Sequence, residues 1–270
     1  MKLTEIINKI HANKENLEFL PTGFAYLDKE LDGGFMRKEL IVLGGSTGIG
    51  KSYLAGQMFS NIAKAGFKSA YFSLEISNEM VVSRLIGQQA NIKSTHVLTG
   101  NLDMTDSVSF NTHMSEISVY EEFMNFYDET YKFEEIKKEI LQEGYEFVVV
   151  DFIQNVVELG MDEYTRLSYV ALELQKLAKA SNSTILVLSQ LSNMMARDKS
   201  NSTVEYKGSG SIATVADLGF YITRGDFDIN PDDLFLMLRK NRRGVSGQQF
   251  NLKFDRPGGK INEKPQEDII

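Results

Sequence analysis

A stripe of apolar residues opens the chain. Leu3, Ile6, Ile7 and Ile10 recur at i, i+3, i+4 and i+7, which predicts an amphipathic helix. His11, Asn13, Lys14, Glu15 and Asn16 follow, so residues 1–16 are expected to form a linker or docking helix joined to a main domain at 17–270. Pro21-Thr22-Gly23 opens that domain. From there, continuous apolar runs alternate with helical periodicity. Strands are expected at 39–45, 69–75, 147–153 and 184–190, and helices at 52–66, 77–91, 133–144 and 163–182. The longest helix carries Leu167, Val170, Ala171, Leu174, Leu177 and Ala178 on one face. Unbroken β-branched runs separated by helices predict a mainly parallel sheet covered on both faces. After about Ala216 the pattern changes. Residues 218–224, 234–241 and 248–255 read as three strands with no helix between them, an antiparallel edge or hairpin near the carboxyl end. The stretch 93–130 follows neither period.

Composition narrows the class. The 270 residues suffice for one α/β domain with a full core and are few for two. At 42 % apolar and 24 % charged, the chain is too apolar to remain unfolded. No apolar stretch approaches membrane-spanning length, and residues 1–10 lack a signal-peptide core. Without cysteine there is neither a disulfide nor a thiolate metal site, and His11, His96 and His113 have no ligand spacing. The setting expected from these features is cytoplasmic. A net charge of −8 argues against a broad nucleic-acid-coating face and leaves room for a few basic loops.

The sharpest chemistry lies between the first apolar strand and its helix. Gly45-Ser46-Thr47-Gly48-Ile49-Gly50-Lys51-Ser52 has the spacing G-x-x-x-x-G-K-[ST]. The glycines let backbone N–H groups turn around phosphate oxygens, and the helix adds its positive amino end. Lys51 is expected on the β- and γ-phosphates of ATP, and Ser52 on Mg²⁺. Asp151 closes the most apolar strand, where a carboxylate faces the ligand crevice and holds the same metal. Hydrolysis also needs a group that orients or deprotonates water. Glu75 ends the second strand, beside the phosphate-loop strand in sequence order, and is a candidate for that role. Gln190, at the end of the strand 184–190, is a candidate γ-phosphate contact.

Together these segments resemble the RecA-like motor of the DnaB-type replicative helicases, over roughly residues 19–262. Thr22-Gly23-Phe24, Leu27-Asp28 and Gly33-Gly34 look like that family's approach to the phosphate loop. Phe72-Ser73-Leu74-Glu75 resembles its second motif, in which the glutamate is catalytic. Asp151-Phe152-Ile153-Gln154 is similar to its metal-binding strand end, and Leu188-Ser189-Gln190-Leu191 to its phosphate-sensing strand. Lys207-Gly208-Ser209-Gly210-Ser211-Ile212, with Ala216-Asp217, resembles its DNA-contacting loop, and Lys240-Asn241-Arg242-Arg243-Gly244 its basic hairpin.

The resemblance implies a RecA-like P-loop NTPase fold and an ATP-hydrolysing helicase. Such a motor moves 5′ to 3′ on single-stranded DNA as a homo-oligomer, a hexameric ring, with ATP between subunits and loader or replisome proteins as further partners. By the same match Lys240 and Arg242 act in the neighbour's ATP site, and Arg197, Lys199, Lys207, Gly208, Ser209 and Gly210 grip DNA through phosphates. The family's helical amino-terminal domain is not expected ahead of residue 17, and the helix at 1–16 is read as the remnant of its linker helix. Alternatives sharing the ATP site are a RecA- or RadA-like recombination ATPase that does not unwind, and a KaiC-like regulatory ATPase acting through protein contacts. RadA-type chains carry a zinc finger, which a cysteine-free chain cannot build. A small-molecule kinase would need no Arg242.

Overall fold

The computed structural model describes residues 2–13, 18–190, 210–225 and 229–265. The elements follow in chain order: α1 (Leu3–Asn13), β1 (Phe19–Leu20), α2 (Ala25–Glu30), β2 (Phe35–Met36), β3 (Leu40–Gly45), α3 (Lys51–Lys64), β4 (Ser69–Ser73), α4 (Asn78–Ala90), α5 (Ser94–Thr99), α6 (Met104–Ile117), β5 (Met124–Tyr127), α7 (Phe133–Glu143), β6 (Phe147–Asp151), α8 (Glu163–Ser181), β7 (Thr184–Gln190), α9 (Gly210–Val215), β8 (Leu218–Arg224), β9 (Asp233–Asn241), β10 (Gln249–Asp255) and β11 (Lys260–Glu263). Among the described residues, no helix is long and apolar enough to cross a membrane.

The main sheet has nine strands in the order β11-β10-β9-β8-β3-β7-β6-β4-β5. The strands from β8 through β5 run parallel, and β9, β10 and β11 extend the sheet antiparallel. This matches the parallel sheet and antiparallel edge expected from the apolar runs. The pleat divides the core. Ile41 and Leu43 face a cluster that includes Leu54, Phe59 and Val81, while Leu40 and Val42 face one that includes Ile136, Leu174 and Ile212. All six residues of α8 expected on one face are buried. That helix starts on Asp162, whose side chain accepts from the Thr165 N–H at 3.1 Å, and stops at Asn182 with φ of 59°.

Two features position the site and were not read from the sequence. Strand β4 pairs with β6 and β5, so two strands separate it from β3. The expected neighbourhood of Glu75 and the phosphate loop therefore comes from the shared carboxyl edge of the sheet, not from adjacent strands. The stretch 93–130 supplies α5, α6 and the edge strand β5. The apolar stripe of α1 is exposed, as its pattern suggests: Leu3, Ile6 and Ile7 are 73 %, 41 % and 43 % exposed.

At the opposite, amino-terminal edge, Glu39 is only 8 % exposed. Its carboxylate meets Arg243 Nε at 3.0 Å and accepts from the Met36 N–H at 3.2 Å. Arg243 also donates to the carbonyls of Leu31 and Gly34, both at 3.1 Å, and so ties the end of β9 to the turn before β3. Burial pushes the Glu39 carboxyl up to about 7 from its ordinary 4.5. Arg243 and the Met36 N–H oppose this, and Asp217 adds to it. A folded-state value above the unfolded one means that the native chain binds the extra proton between those pH values. Stability then falls as pH rises from about 4.5 through 7. The midpoint of thermal unfolding should drop across this window, and Glu39→Gln should flatten the slope. Parallel pH profiles for the two proteins would count against the assignment.

Candidate nucleotide site

The phosphate loop follows from how β3 ends. Gly45 pairs with Gln190 on one side and Ile222 on the other. A Cβ on Gly45 would lie 2.8 Å from Ile222 Cγ2 and 2.9 Å from the Ile222 carbonyl oxygen, so the close approach of β8 requires glycine. Gly50 has φ of 109° and turns the chain into α3, where the Leu54 N–H donates to the Gly50 carbonyl at 2.9 Å. Lys51, 4 % exposed, folds back inside the loop and donates to the Gly45 and Ser46 carbonyls, both at 2.9 Å. Its ammonium lies 5.7 Å from the centre of the Phe152 ring. Burial lowers the Lys51 pKa, while the charges of Asp151 and Glu75 pull it upward.

Asp151, 3 % exposed, closes β6 across the crevice. The Tyr71 hydroxyl donates to its Oδ2 at 2.7 Å, and its buried Oδ1 has no hydrogen-bond partner among the described residues. Burial raises the Asp151 pKa. The hydroxyls of Tyr71 and Ser52 oppose that shift, the charge of Glu75 adds to it, and Lys51 opposes it. A buried carboxylate oxygen with no donor among the described residues, beside a serine hydroxyl, offers oxygen ligands suited to a hard divalent cation, and the nearby ammonium suits the phosphates such a cation carries. Glu75 follows β4 and is exposed to the crevice. It is held there through the backbone, because the Leu74 N–H donates to the Asp151 carbonyl at 2.8 Å and Asn155 Nδ2 to the Leu74 carbonyl at 2.9 Å.

Residues 47–52, Glu75, Asp151 and Phe152 line one cavity of about 330 Å³. Tyr53, Ile76, Arg84, Arg224 and Phe254 complete its wall. The Tyr53 and Phe254 rings meet edge to face, 5.4 Å apart, and the Arg84 guanidinium lies 5.1 Å from the Tyr53 ring centre. Arg224 Nε is buried with no hydrogen-bond partner among the described residues. Tyr53, Arg84, Arg224 and Phe254 were not singled out in the sequence. Arg224 ends β8 as Asp151 ends β6, so the strand-end rule that found Asp151 applies to it as well. Phe254 arrives from β10 across antiparallel pairings that no local signal specifies.

The remaining candidates lie apart. Gln190 pairs with Gly45 in the sheet but is not part of the cavity wall; its backbone N–H meets the Gln154 side-chain oxygen at 3.4 Å. Lys240 and Arg242 are at the far edge of the sheet. Lys240 pairs with Gly219 at the start of β8, whereas Arg224 at the end of β8 lines the cavity. Five residues of strand make this roughly 17 Å. Arg197, Lys199, Lys207, Gly208 and Ser209 lie outside the described residues, and Gly210 is the first residue of α9.

The family model for the DnaB-like helicase C terminal domain matches residues 20–263. The replicative DNA helicase DnaB of Treponema pallidum (strain Nichols) is 28 % identical over 268 residues, covering 94 % of this chain and 60 % of that protein. The replicative DNA helicase DnaC of Bacillus subtilis (strain 168) is 28 % identical over 257 residues, covering 89 % of this chain and 56 % of that protein. The chain thus spans little more than half the length of these curated relatives. Among solved structures, an isolated ATPase domain superposes with a TM-score of 0.87 at 19 % identity, covering 98 % of this chain and 99 % of that one. A DnaB-like replicative helicase, solved in a study of its interactions with primase, superposes with a TM-score of 0.84 at 20 % identity, covering 97 % of this chain and 67 % of that one.

Lys51→Ala removes the cation around which the loop is folded. Titration with a fluorescent ATP analogue should show affinity reduced by at least about tenfold, or ~1.4 kcal/mol, with the circular dichroism of the fold retained. An unchanged affinity would remove Lys51 from the nucleotide site.

Proposed function

The chain belongs to the DnaB-like helicase C terminal domain family, and from that premise we propose that it is the ATP-hydrolysing motor of a replicative DNA helicase. In this reading it moves 5′ to 3′ along single-stranded DNA in the cytoplasm and unwinds duplex. The observation that carries the proposal is the crevice itself. A glycine-rich loop folded on a buried lysine, a buried aspartate with an oxygen unpartnered among the described residues and an exposed glutamate share one cavity.

Each residue has a role in this reading. Backbone N–H groups of residues 45–52 and the amino end of α3 hold the phosphates. Lys51 exchanges its two carbonyl partners for β- and γ-phosphate oxygens. Ser52 and Asp151 hold Mg²⁺, which when bound neutralises phosphate charge. Glu75 orients and deprotonates the attacking water. Gln190 acts from the strand beside Gly45 as a γ-phosphate contact. Tyr53, Phe254, Arg84 and Arg224 offer an aromatic face and cations to the rest of the nucleotide.

Lys240 and Arg242 fit a role in trans. At roughly 17 Å from their own cavity along β8, they need a phosphate supplied by another molecule. A second copy of the chain supplies one when copies assemble head to tail, which closes into a ring such as a hexamer. The exposed stripe of α1 suits docking on a neighbouring copy. Residues 195–211, with Arg197, Lys199 and Lys207 and the sequence Gly208-Ser209-Gly210, are the proposed grip on DNA phosphates. Loader or replisome proteins are the expected further partners. The −8 net charge favours one other reading, a regulatory ATPase that works through protein contacts.

The steady-state ATPase rate with and without single-stranded DNA separates the two. The motor reading expects stimulation of several-fold that weakens with salt, and Glu75→Gln should retain nucleotide binding while turnover falls at least about a hundredfold, or ~2.7 kcal/mol. A rate indifferent to DNA at low and moderate salt would transfer the assignment to the regulatory ATPase. Removing residues 1–16 should shift the assembly toward monomer in a sedimentation experiment; an unaltered mass would rule out the docking role of α1.

A further inference from the structure

A helix leaves its last carbonyl groups without partners inside the helix. In α9 three of these, on Ala213, Thr214 and Val215, are met by side chains from other elements. Lys240 Nζ donates to the Ala213 carbonyl at 2.8 Å and the Thr214 carbonyl at 2.6 Å. Arg242 Nη2 donates to the Thr214 carbonyl at 3.0 Å. Gln175, buried on α8, donates from Nε2 to the Val215 carbonyl. Asp217, two residues past the helix, joins the same groups. Its Oδ1 accepts from Arg242 Nη1 at 2.7 Å and from Gln175 Nε2 at 3.4 Å, and its Oδ2 accepts from the Leu40 N–H at 2.9 Å.

The donor count sets what this cluster can do. A guanidinium has five N–H donors and an ammonium three. The described contacts use two groups of Arg242 and two directions from Lys240, so both cations retain donors while seated. The charges do not balance either. Two cations share one carboxylate, and the like charge of Arg242 adds to burial in lowering the Lys240 pKa. The seat therefore holds an excess positive charge in a fixed position at the sheet edge, with N–H groups to spare for an anion. Preorganised donors of this kind need no rearrangement when phosphate charge arrives.

We infer that Gln175 and Asp217 are positioning residues that fix Lys240 and Arg242 on the carboxyl end of α9, with donors left over for the nucleotide phosphates of a second copy of the chain. The inference rests on the trans role proposed for Lys240 and Arg242. Neither Gln175 nor Asp217 touches the nucleotide. They act by holding the helix end and the guanidinium in one geometry, and Gln175 joins the two by donating to both Val215 and Asp217.

The test is subunit mixing. Gln175→Leu keeps the approximate size of the side chain and removes both donated bonds. Turnover of the assembled variant should fall roughly fivefold, about 1 kcal/mol, while the affinity of its own cavity for a fluorescent ATP analogue stays unchanged. Mixed with Glu75→Gln subunits, which carry an intact seat, Gln175→Leu should recover turnover above the sum of the separate proteins. Arg242→Ala, mixed in the same way, is the control. If Arg242→Ala recovers and Gln175→Leu does not, or if Gln175→Leu alone is fully active, the positioning role is overturned and the trans role stands. If Arg242→Ala does not recover, the trans role fails and the positioning role falls with it. Should Gln175→Leu not fold, Asp217→Asn replaces it in the same assay. That change keeps an oxygen for the Leu40 N–H and removes the charge facing Arg242.

Discussion

An ammonium ion held almost out of water needs acceptors and counter-charge close by, and in this chain the requirement of Lys51 organises the crevice. Its acceptors are the Gly45 and Ser46 carbonyls, so the loop must curl back over the start of α3. Its counter-charges are Asp151 and Glu75, which come from strands beyond the far side of β7. That arrangement works only because β3, β7, β6 and β4 are parallel and end at one edge. The carbonyls are neutral, and burial outweighs the pull of the two carboxylates on the Lys51 pKa. In the proposed reading the phosphates of ATP replace the carbonyls around Lys51, and a cation would take up Asp151 Oδ1, which has no hydrogen-bond partner among the described residues.

The distribution of charge matters more here than its sum. A chain of net charge −8 turns Lys51, Arg84 and Arg224 toward one cavity and gathers Lys240, Arg242 and Arg243 at the opposite edge of the sheet. The two basic regions differ in how they are compensated. Arg243 is paired with Glu39 and two carbonyls and acts as a tie between β9 and the turn before β3. Lys240 and Arg242 share Asp217 and keep charge in excess. Only the second arrangement leaves cationic charge in excess, which distinguishes neighbouring residues of the same basic hairpin by their surroundings.

Much of this was legible in the chain because buried parallel strands have to be written in apolar, β-branched residues. The runs at β3, β6 and β7 and the apolar face of α8 were located within a residue or two. The phosphate loop and Asp151 followed from strand-end chemistry. What escaped was what sequence order does not encode. The edge strand β5 is short and only half buried, and α6 buries no residue fully, so neither carries a strong period. Strand order is a tertiary choice, and β4 lies beside β6 instead of β3. Glu75 reaches the crevice all the same, through the Leu74 N–H bonded to Asp151. Phe254 and Tyr53 form one wall only after β10 has been laid antiparallel against β9.

One strand connects the two basic regions. β8 pairs with β3 over residues 218–222 and with β9 over residues 218–224, with a register shift between Gly219 and Phe220, and Leu218, Phe220 and Ile222 are buried. A strand held on both edges with its apolar side chains packed is among the stiffest elements a domain has. At its carboxyl end stands Arg224, in the wall of the nucleotide cavity. Immediately before its amino end stands Asp217, which accepts from Arg242, Gln175 and Leu40. In the proposed reading, this strand spaces the cavity from the trans-acting pair. The freedom is left to side-chain contacts at the ends, where Arg224 Nε has no partner among the described residues and the Arg242 guanidinium has donors unused.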